Sequence, residues 1–390
     1  MHQTVDQPAL SLYLHIPFCR HRCAYCDFNT YTGLEAIREA YADGLVREIR
    51  QVAGVLKRPA NTVFFGGGTP TLMPADAIDR ILRELESGFQ LAADTEVTME
   101  ANPETVDTDY LAAVRGSGVN RLSIGMQSAN AGELAFLERQ HDFASVAQAV
   151  RAARAAGFAN VSLDLIYGLP NQTLASWGAS LEVALTLEPD HLSLYALTIE
   201  SGTPMHRWLH NDQIQAPDPD MAADQYELAC ELLDRVGFQH YEISNWARPG
   251  RACQHNLSYW RNNQYLGFGA GAHGHADGFR YEVVRQPRAY LARLQDQVAD
   301  SYPWSAAVRV KEKLTVKEAM IDCVLMQLRL LQEGLDLATF QRKFGSSLRE
   351  AFPGVTEELI SWGLLQQVGQ SLRLTPRGWL LSNQVFYRYL

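Results

Sequence analysis

The sequence predicts an α/β protein: six βα units whose parallel sheet curls into a partial or complete barrel, followed by a small winged-helix-like C-terminal domain. Three observations carry that expectation. Short apolar segments alternate with helical ones as far as residue 200; cysteine, glycine and isolated polar residues fall at the ends of those apolar segments; and beyond Lys311 helical patterning gives way to a hairpin. A chain of 390 residues is more than one compact core usually holds, so it divides naturally into 1–200 for the barrel, 201–310 for a sheet extension with loops, and 311–390 for the C-terminal domain.

The strands are expected, from β-branched and aliphatic content, at Leu10–Ile16, Thr62–Phe65, Glu96–Glu100, Arg121–Gly125, Val161–Ile166 and His191–Tyr195. Between them the helices are Leu34–Leu56, Ala75–Leu85 entered through Pro74, Thr108–Val114 behind Asp107, Ser145–Ala156 closed by Gly157, and Leu174–Leu187. Parallel barrels gather their reactive groups at the C-terminal ends of the strands. Here Cys19 follows the first strand, Gly66-Gly67-Gly68-Thr69-Pro70 the second, Glu100 closes the third and Gln127 follows the fourth. Asp164 interrupts the apolar run of the fifth, where an inward carboxylate needs a polar partner. Any one of these alone reads as a turn or a satisfied core polar group; five on one rim read as a site. From Ser201 to Ala299 the alternation is lost and glycine and aromatic residues accumulate, which predicts an extension of the sheet with long loops. Helices at Val316–Leu331, Leu337–Phe344 and Thr356–Ser361, strands at Leu364–Val368 and Leu372–Leu374, and a helix from Pro376 complete the winged-helix-like pattern.

At 47% hydrophobic and 20% charged residues the composition is ordinary for a globular protein. Six cysteines are too few to staple a chain this long; three lie between positions 19 and 26, and Cys230, Cys253 and Cys323 are scattered. That usage points to a reducing compartment with a metal site, hence the cytoplasm. Met1–Asp6 lacks the basic-then-apolar order of a signal peptide, and no run of about 18 apolar residues offers a membrane span. A net charge of −10 argues against broad nucleic-acid binding. The segment from Lys311 to Leu390, with ten Lys/Arg against eight Asp/Glu, is not the basic surface that phosphate contacts require.

The most informative segment is Cys19-x3-Cys23-x2-Cys26. Three thiolates can hold three irons of a [4Fe–4S] cluster and leave the fourth open to a ligand, whereas electron-transfer clusters usually take four cysteines. The alternative is zinc, with His15 or His21 as a fourth ligand. The triple glycine is neither a dinucleotide fingerprint nor a phosphate loop, and its lack of side chains lets a ligand approach the backbone. Together, the cysteine spacing and the Gly-Gly-Gly-Thr-Pro segment resemble the radical SAM superfamily, in which S-adenosylmethionine (SAM) fills the open iron position.

Within that superfamily the chain resembles the oxygen-independent coproporphyrinogen oxidase-like proteins over nearly its whole length. Tyr13–Cys19, Gly66–Pro70, Ser123–Ser128, Asp164–Pro170 and His255-Asn256-Leu257-Ser258-Tyr259-Trp260 carry the resemblance. It implies that Cys19, Cys23 and Cys26 bind the cluster, that Tyr13 lies by the cluster and SAM, and that Gly67, Gly68 and Thr69 line the methionine end of SAM. It further implies that Glu100, Gln127 and Asp164 contact SAM's polar groups and that Arg139 faces its carboxylate, a role suited to a planar guanidinium. From the residues alone, an exposed helix arginine is an equal reading of Arg139.

Two departures separate this chain from the decarboxylating oxidase of that family. Where the oxidase has a further cysteine two positions after the third, this chain has Phe28, and only 18 residues precede Cys19. Both match the HemW-type branch, which resembles the oxidase but serves as heme chaperones. The expected function is therefore a heme chaperone with a [4Fe–4S] cluster, SAM and heme, delivering heme to acceptor proteins that in the family include respiratory enzymes, with transient membrane association. No catalytic residue is assigned. The rival is oxidative decarboxylation of coproporphyrinogen III by a SAM-derived radical. His255 offers an imidazole as axial heme ligand beside Tyr259, Trp260, Tyr265 and Phe268. Its alternatives are a buried histidine within an aromatic core, or ligation instead by His273, His275 or Cys253.

Overall fold

The computed structural model describes residues 9–296 and 304–390; the Met1–Asp6 segment lies outside the described residues. The six expected strands form as β1 (Leu10–Ile16), β2 (Ala60–Gly67), β3 (Glu96–Ala101), β4 (Arg121–Gln127), β5 (Val161–Tyr167) and β6 (His191–Ala196). They are followed by β7 (Gln239–Glu242), β8 (Asn245–Ala247), β9 (Tyr265–Phe268), β10 (His273–Ala276), β11 (Phe279–Val283) and β12 (Val308–Lys313). All twelve join one sheet in the order β12-β11-β10-β9-β1-β2-β3-β4-β5-β6-β8-β7. From β1 to β6 every neighbour is parallel, β9 adds in parallel beside β1, and β8 adds antiparallel beside β6. The sheet keeps two edges, β7 and β12, so it is the partial barrel of the two expected forms.

Strict alternation explains why these segments are strands and which way they face. Leu10, Leu12, Leu14 and Ile16 of β1 are fully buried, and Leu122, Ile124, Val161, Leu163, Leu192 and Leu194 repeat the pattern in β4 to β6. They share one core with Leu45, Ile49, Ile78, Ile81 and Leu85 of the covering helices Arg38–Leu56 and Ala75–Phe89. With side chains alternating across a strand, the other face carries Ser11, Tyr13 and His15, then Glu96 and Glu100, Arg121 and Ser123, Asp164, and Ser193. The concave interior is therefore rich in polar groups, with the apolar Phe64 and Ile166 among them.

The helix Gln254–Trp260 closes the interior at the N-terminal ends of the strands. The Glu96 carboxylate accepts from the backbone N–H of Gln254 and of His255, both at 3.0 Å, supplying acceptors that a helix start otherwise lacks. Ser11 Oγ donates to Ser258 Oγ at 2.7 Å, and Thr62 Oγ1 lies 2.9 Å from His255 Nδ1. Between residues 201 and 296 the structure is more regular than the sequence suggested, since the helices Pro204–His210 and Pro219–Arg235 fill part of what read as loop. Their starts are marked by Thr203 and Asp218 side chains that accept from first-turn N–H groups, each followed by proline.

The C-terminal part has its own core of Met320, Val324, Phe340, Leu359, Leu372 and Tyr389 among others. A three-stranded sheet of β13 (Leu335–Asp336), β14 (Leu365–Val368) and β15 (Ser371–Leu374), in the order β13-β15-β14, supplies the hairpin. The helices Val316–Gln327, Leu337–Phe344 and Val355–Ser361 pack around it as expected.

Candidate functional site

One cavity of about 340 Å³ opens at the C-terminal ends of the strands, and residues from β2 to β6 all reach it. Cys19, Cys23 and Cys26, on the loop after β1, line it together with Gly67, Gly68, Thr69, Glu100, Gln127, Arg139 and Asp164. The loop is held by backbone hydrogen bonds from Cys19 to Tyr31 O and from Tyr31 to Pro17 O. Burial pushes the Cys19 thiol up to about 11 and raises that of Cys26, so metal-free thiols stay protonated and metal binding must displace their protons. Cys19, Cys23 and Cys26 line one cavity wall, and three thiolates can hold three irons of a multi-iron cluster. Of the two histidines weighed as a fourth ligand, His21 lines the same cavity and His15 does not. His15 places Nδ1 3.0 Å from Tyr13 OH and Nε2 2.9 Å from Asn29 O, while His21 pairs with Glu138 at 3.5 Å.

The glycine turn is a tight fit. Gly67 has φ of +109°, and a Cβ there would meet the His15 ring at 2.5 Å; a Cβ on Gly68 would stand 2.7 Å from Phe18 O and 3.1 Å from Cys19 Sγ. Any side chain would push the cysteine loop away from the strand end. The Gly67 N–H donates to Glu100 at 3.1 Å, and Thr69 Oγ1 lies 3.6 Å from Cys19 Sγ. Gln127 takes the left-handed conformation, φ 63°, where the β4–β5 register shifts, which turns its side chain to the cavity.

Arg139 is not the exposed helix arginine that the residues alone allowed. Its NH2 donates to Asn102 Oδ1 at 2.7 Å and to Gly125 O at 3.1 Å, its NH1 points at Cys23 Sγ at 3.6 Å, and its Nε is buried without a partner. It thus fixes a positive charge beside the cysteine loop. Asp164 is held by the Ser123 hydroxyl, 3.0 and 3.1 Å from its two oxygens. Burial raises the carboxyls of both Asp164 and Glu100; with Asp164 close by, Glu100 reaches about 8 and carries a proton at neutral pH.

A second polar chamber of about 210 Å³ continues inward, sharing Glu100, Ser123, Asp164 and Tyr195 with the first. Tyr13 lines this inner chamber and not the cysteine cavity. His255 lines it too, from the floor. His255, expected as an axial heme ligand, is 1% exposed, with Nδ1 2.9 Å from Thr62 Oγ1 and Nε2 2.9 Å from Tyr259 OH. Each ring nitrogen meets a hydroxyl group. The motif builds the barrel floor. Sequence reasoning passed over Asn102, which bridges Thr69 and Arg139, and Ser123, which holds Asp164. Asn102 follows the β3 end already marked as the active rim, and Ser123 opens the Ser123–Ser128 segment that carried the resemblance; those were the available signals.

A partial βα barrel with three thiols, a glycine turn and buried carboxylates on one rim defines a radical SAM protein. Residues 13–184 match the radical SAM superfamily and residues 314–381 the HemN C-terminal domain. The chain is 39% identical over 378 residues to the heme chaperone HemW of Mycobacterium tuberculosis, covering 96% of this chain and 93% of that one. It is 35% identical to the heme chaperone HemW of Bacillus subtilis, covering 97% and 99%, and 40% identical to that of Escherichia coli, covering 74% and 77%. The chain belongs to the HemW family. Its structure also superposes on the radical SAM enzyme coproporphyrinogen III oxidase (HemN) of Escherichia coli, with a TM-score of 0.83 and 25% identity over 98% of this chain and 90% of that one.

Proposed function

We propose that this protein is a heme chaperone that binds a [4Fe–4S] cluster, SAM and heme, and passes heme to acceptor proteins, respiratory enzymes among them. The observation that carries the reading is the near end-to-end kinship with heme chaperones of a chain that keeps all three rim thiols on one cavity. The oxidase shares the fold at lower identity. Phe28, 62% exposed at the cavity wall, stands where the oxidase-type sequence has a further cysteine.

The residues divide the work as follows. Cys19, Cys23 and Cys26 hold the cluster, which when bound supplies an electron and an open coordination position for SAM. Gly67 and Gly68 let the methionine end approach the backbone, and Arg139, which lines the cavity, offers its charge to a carboxylate. Glu100, Gln127 and Asp164 meet SAM's polar groups, with protonated Glu100 able to donate as well as accept. Among the described residues no helix is long and apolar enough to cross a membrane. In this reading residues 1–200 hold the cofactors, 201–310 close the barrel floor, and 311–390 form the attached domain. Replacing any of Cys19, Cys23 or Cys26 by alanine should abolish the iron–sulfur absorption and paramagnetic resonance signals after anaerobic reconstitution. Stoichiometric zinc without sulfide in the unaltered protein would sink the reading.

A further inference from the structure

Asn102 ties two of the three cysteines to one guanidinium without touching either sulfur. It stands directly after β3, half-buried, and each end of its amide has a partner: Oδ1 accepts from Arg139 NH2 at 2.7 Å, and Nδ2 donates to Thr69 Oγ1 at 3.1 Å. Arginine carries only donors, so the atom facing it must be the amide oxygen, and the amide nitrogen is thereby turned to Thr69. The Thr69 oxygen receives that N–H, which leaves its own hydrogen for Cys19 Sγ, 3.6 Å away. The other guanidinium nitrogen, NH1, donates to Cys23 Sγ at 3.6 Å. One permanent cation therefore sets the direction of every bond in the chain. The backbone holds both of its ends. Glu138 closes the helix Ala131–Phe136 in the left-handed conformation, φ 56°; its N–H returns to Ala135 O and that of Arg139 to Leu134 O, a helix ending that fixes where the guanidinium starts. Thr69, 2% exposed, donates its N–H to Phe18 O at 2.8 Å, one residue before Cys19.

Resting on the reading that Cys19, Cys23 and Cys26 hold the cluster, we propose that Asn102 is a positioning residue that sets the cluster's reduction potential, by delivering a donor to Cys19 through Thr69 and by keeping Arg139 aimed at Cys23. Hydrogen bonds to the sulfurs are among the factors that fix such potentials. The reason is charge. Reduction adds one electron, taken from an external one-electron reductant, to a group already surrounded by thiolates, and a donor pointed at a sulfur stabilises the more negative state more than the less negative one. Linked buried hydrogen bonds polarise one another, so a donor relayed from a guanidinium is stronger than that of an isolated hydroxyl. Without Asn102, the Thr69 hydroxyl loses the group that orients it and Arg139 loses the acceptor that holds NH2, so both sulfurs feel one substitution at a residue that binds neither.

The test is a potentiometric titration of the full-length, anaerobically reconstituted protein without SAM, with dithionite as reductant and the reduced cluster followed by paramagnetic resonance. Asn102→Ala should make reduction about tenfold less favourable, a midpoint about 59 mV more negative, with iron and sulfide contents unchanged. Thr69→Val keeps the side-chain shape and cuts only the branch to Cys19, so it should shift the midpoint in the same direction by less. Thr69→Ser returns the hydroxyl and should restore the original value, which a packing defect at this position would not allow. If Asn102→Ala fails to assemble the cluster, the Thr69 pair decides alone. The original potential in Thr69→Val, or equal shifts in Thr69→Val and Thr69→Ser, overturns the relay and leaves the cluster reading standing. Failure of the unaltered protein to take up iron and sulfide overturns that reading and the relay with it.

Discussion

Glu100 and Arg139 show at the residue scale how burial prepares the rim. Glu100 sits within the field of Asp164 and out of water, and its proton is held up to about pH 8. The folded state therefore binds that proton more tightly than the unfolded chain does. The stabilisation is complete below the ordinary glutamate range and is lost as pH rises through 8. Glu100→Gln should thus flatten the decline in melting temperature between about pH 5 and pH 8. A variant that declines as steeply as the original protein would mean that Glu100 ionises freely. Arg139 tests the other side of the cavity. Losing a charge-assisted pair should weaken SAM binding by about 1.5–3 kcal/mol, roughly 10- to 150-fold, with the cluster still assembled. Calorimetry giving equal affinities for the original and Arg139→Ala proteins would confine Arg139 to the contacts with Asn102 and Cys23.

At the scale of elements, the floor helix depends on a carboxylate borrowed from a neighbouring strand. Glu96 accepts from two helix N–H groups and receives the Cys253 thiol. Glu96→Ala leaves these donors unmatched and should cost about 1–3 kcal/mol in urea unfolding, with loss of the near-ultraviolet signal of Tyr259 and Trp260. A variant as stable as the original would show that solvent can replace Glu96. This helix also marks where sequence reading stopped. Strands β1 to β6 were legible because their outward residues are apolar and many of their inward ones polar, a local and repeating signal. The rim residues were legible because they interrupt that signal. His255-Asn256-x-x-Tyr259-Trp260 was visible as a motif, yet its place at the floor depends on Ser11, Thr62 and Glu96, which lie 159 to 247 positions away in the chain. No local pattern encodes such pairings. For the same reason Arg139 was undecided between surface and cavity until Asn102 and Cys23 were seen beside it.

For the molecule as a whole, the fold alone does not separate chaperone from oxidase, since the two superpose closely. Kinship and the residue at position 28 carry the distinction. The claim at the centre is that this chain handles heme as cargo and does not decarboxylate its precursor. Its most direct test is one anaerobic incubation of the reconstituted protein with hemin, coproporphyrinogen III, SAM and a reductant, followed by separation of protein-bound and free tetrapyrroles by chromatography. Hemin retained on the protein in stoichiometric amount, with coproporphyrinogen III recovered unchanged, is the predicted result. Protoporphyrinogen formed over many turnovers would contradict the account and return the protein to the oxidases.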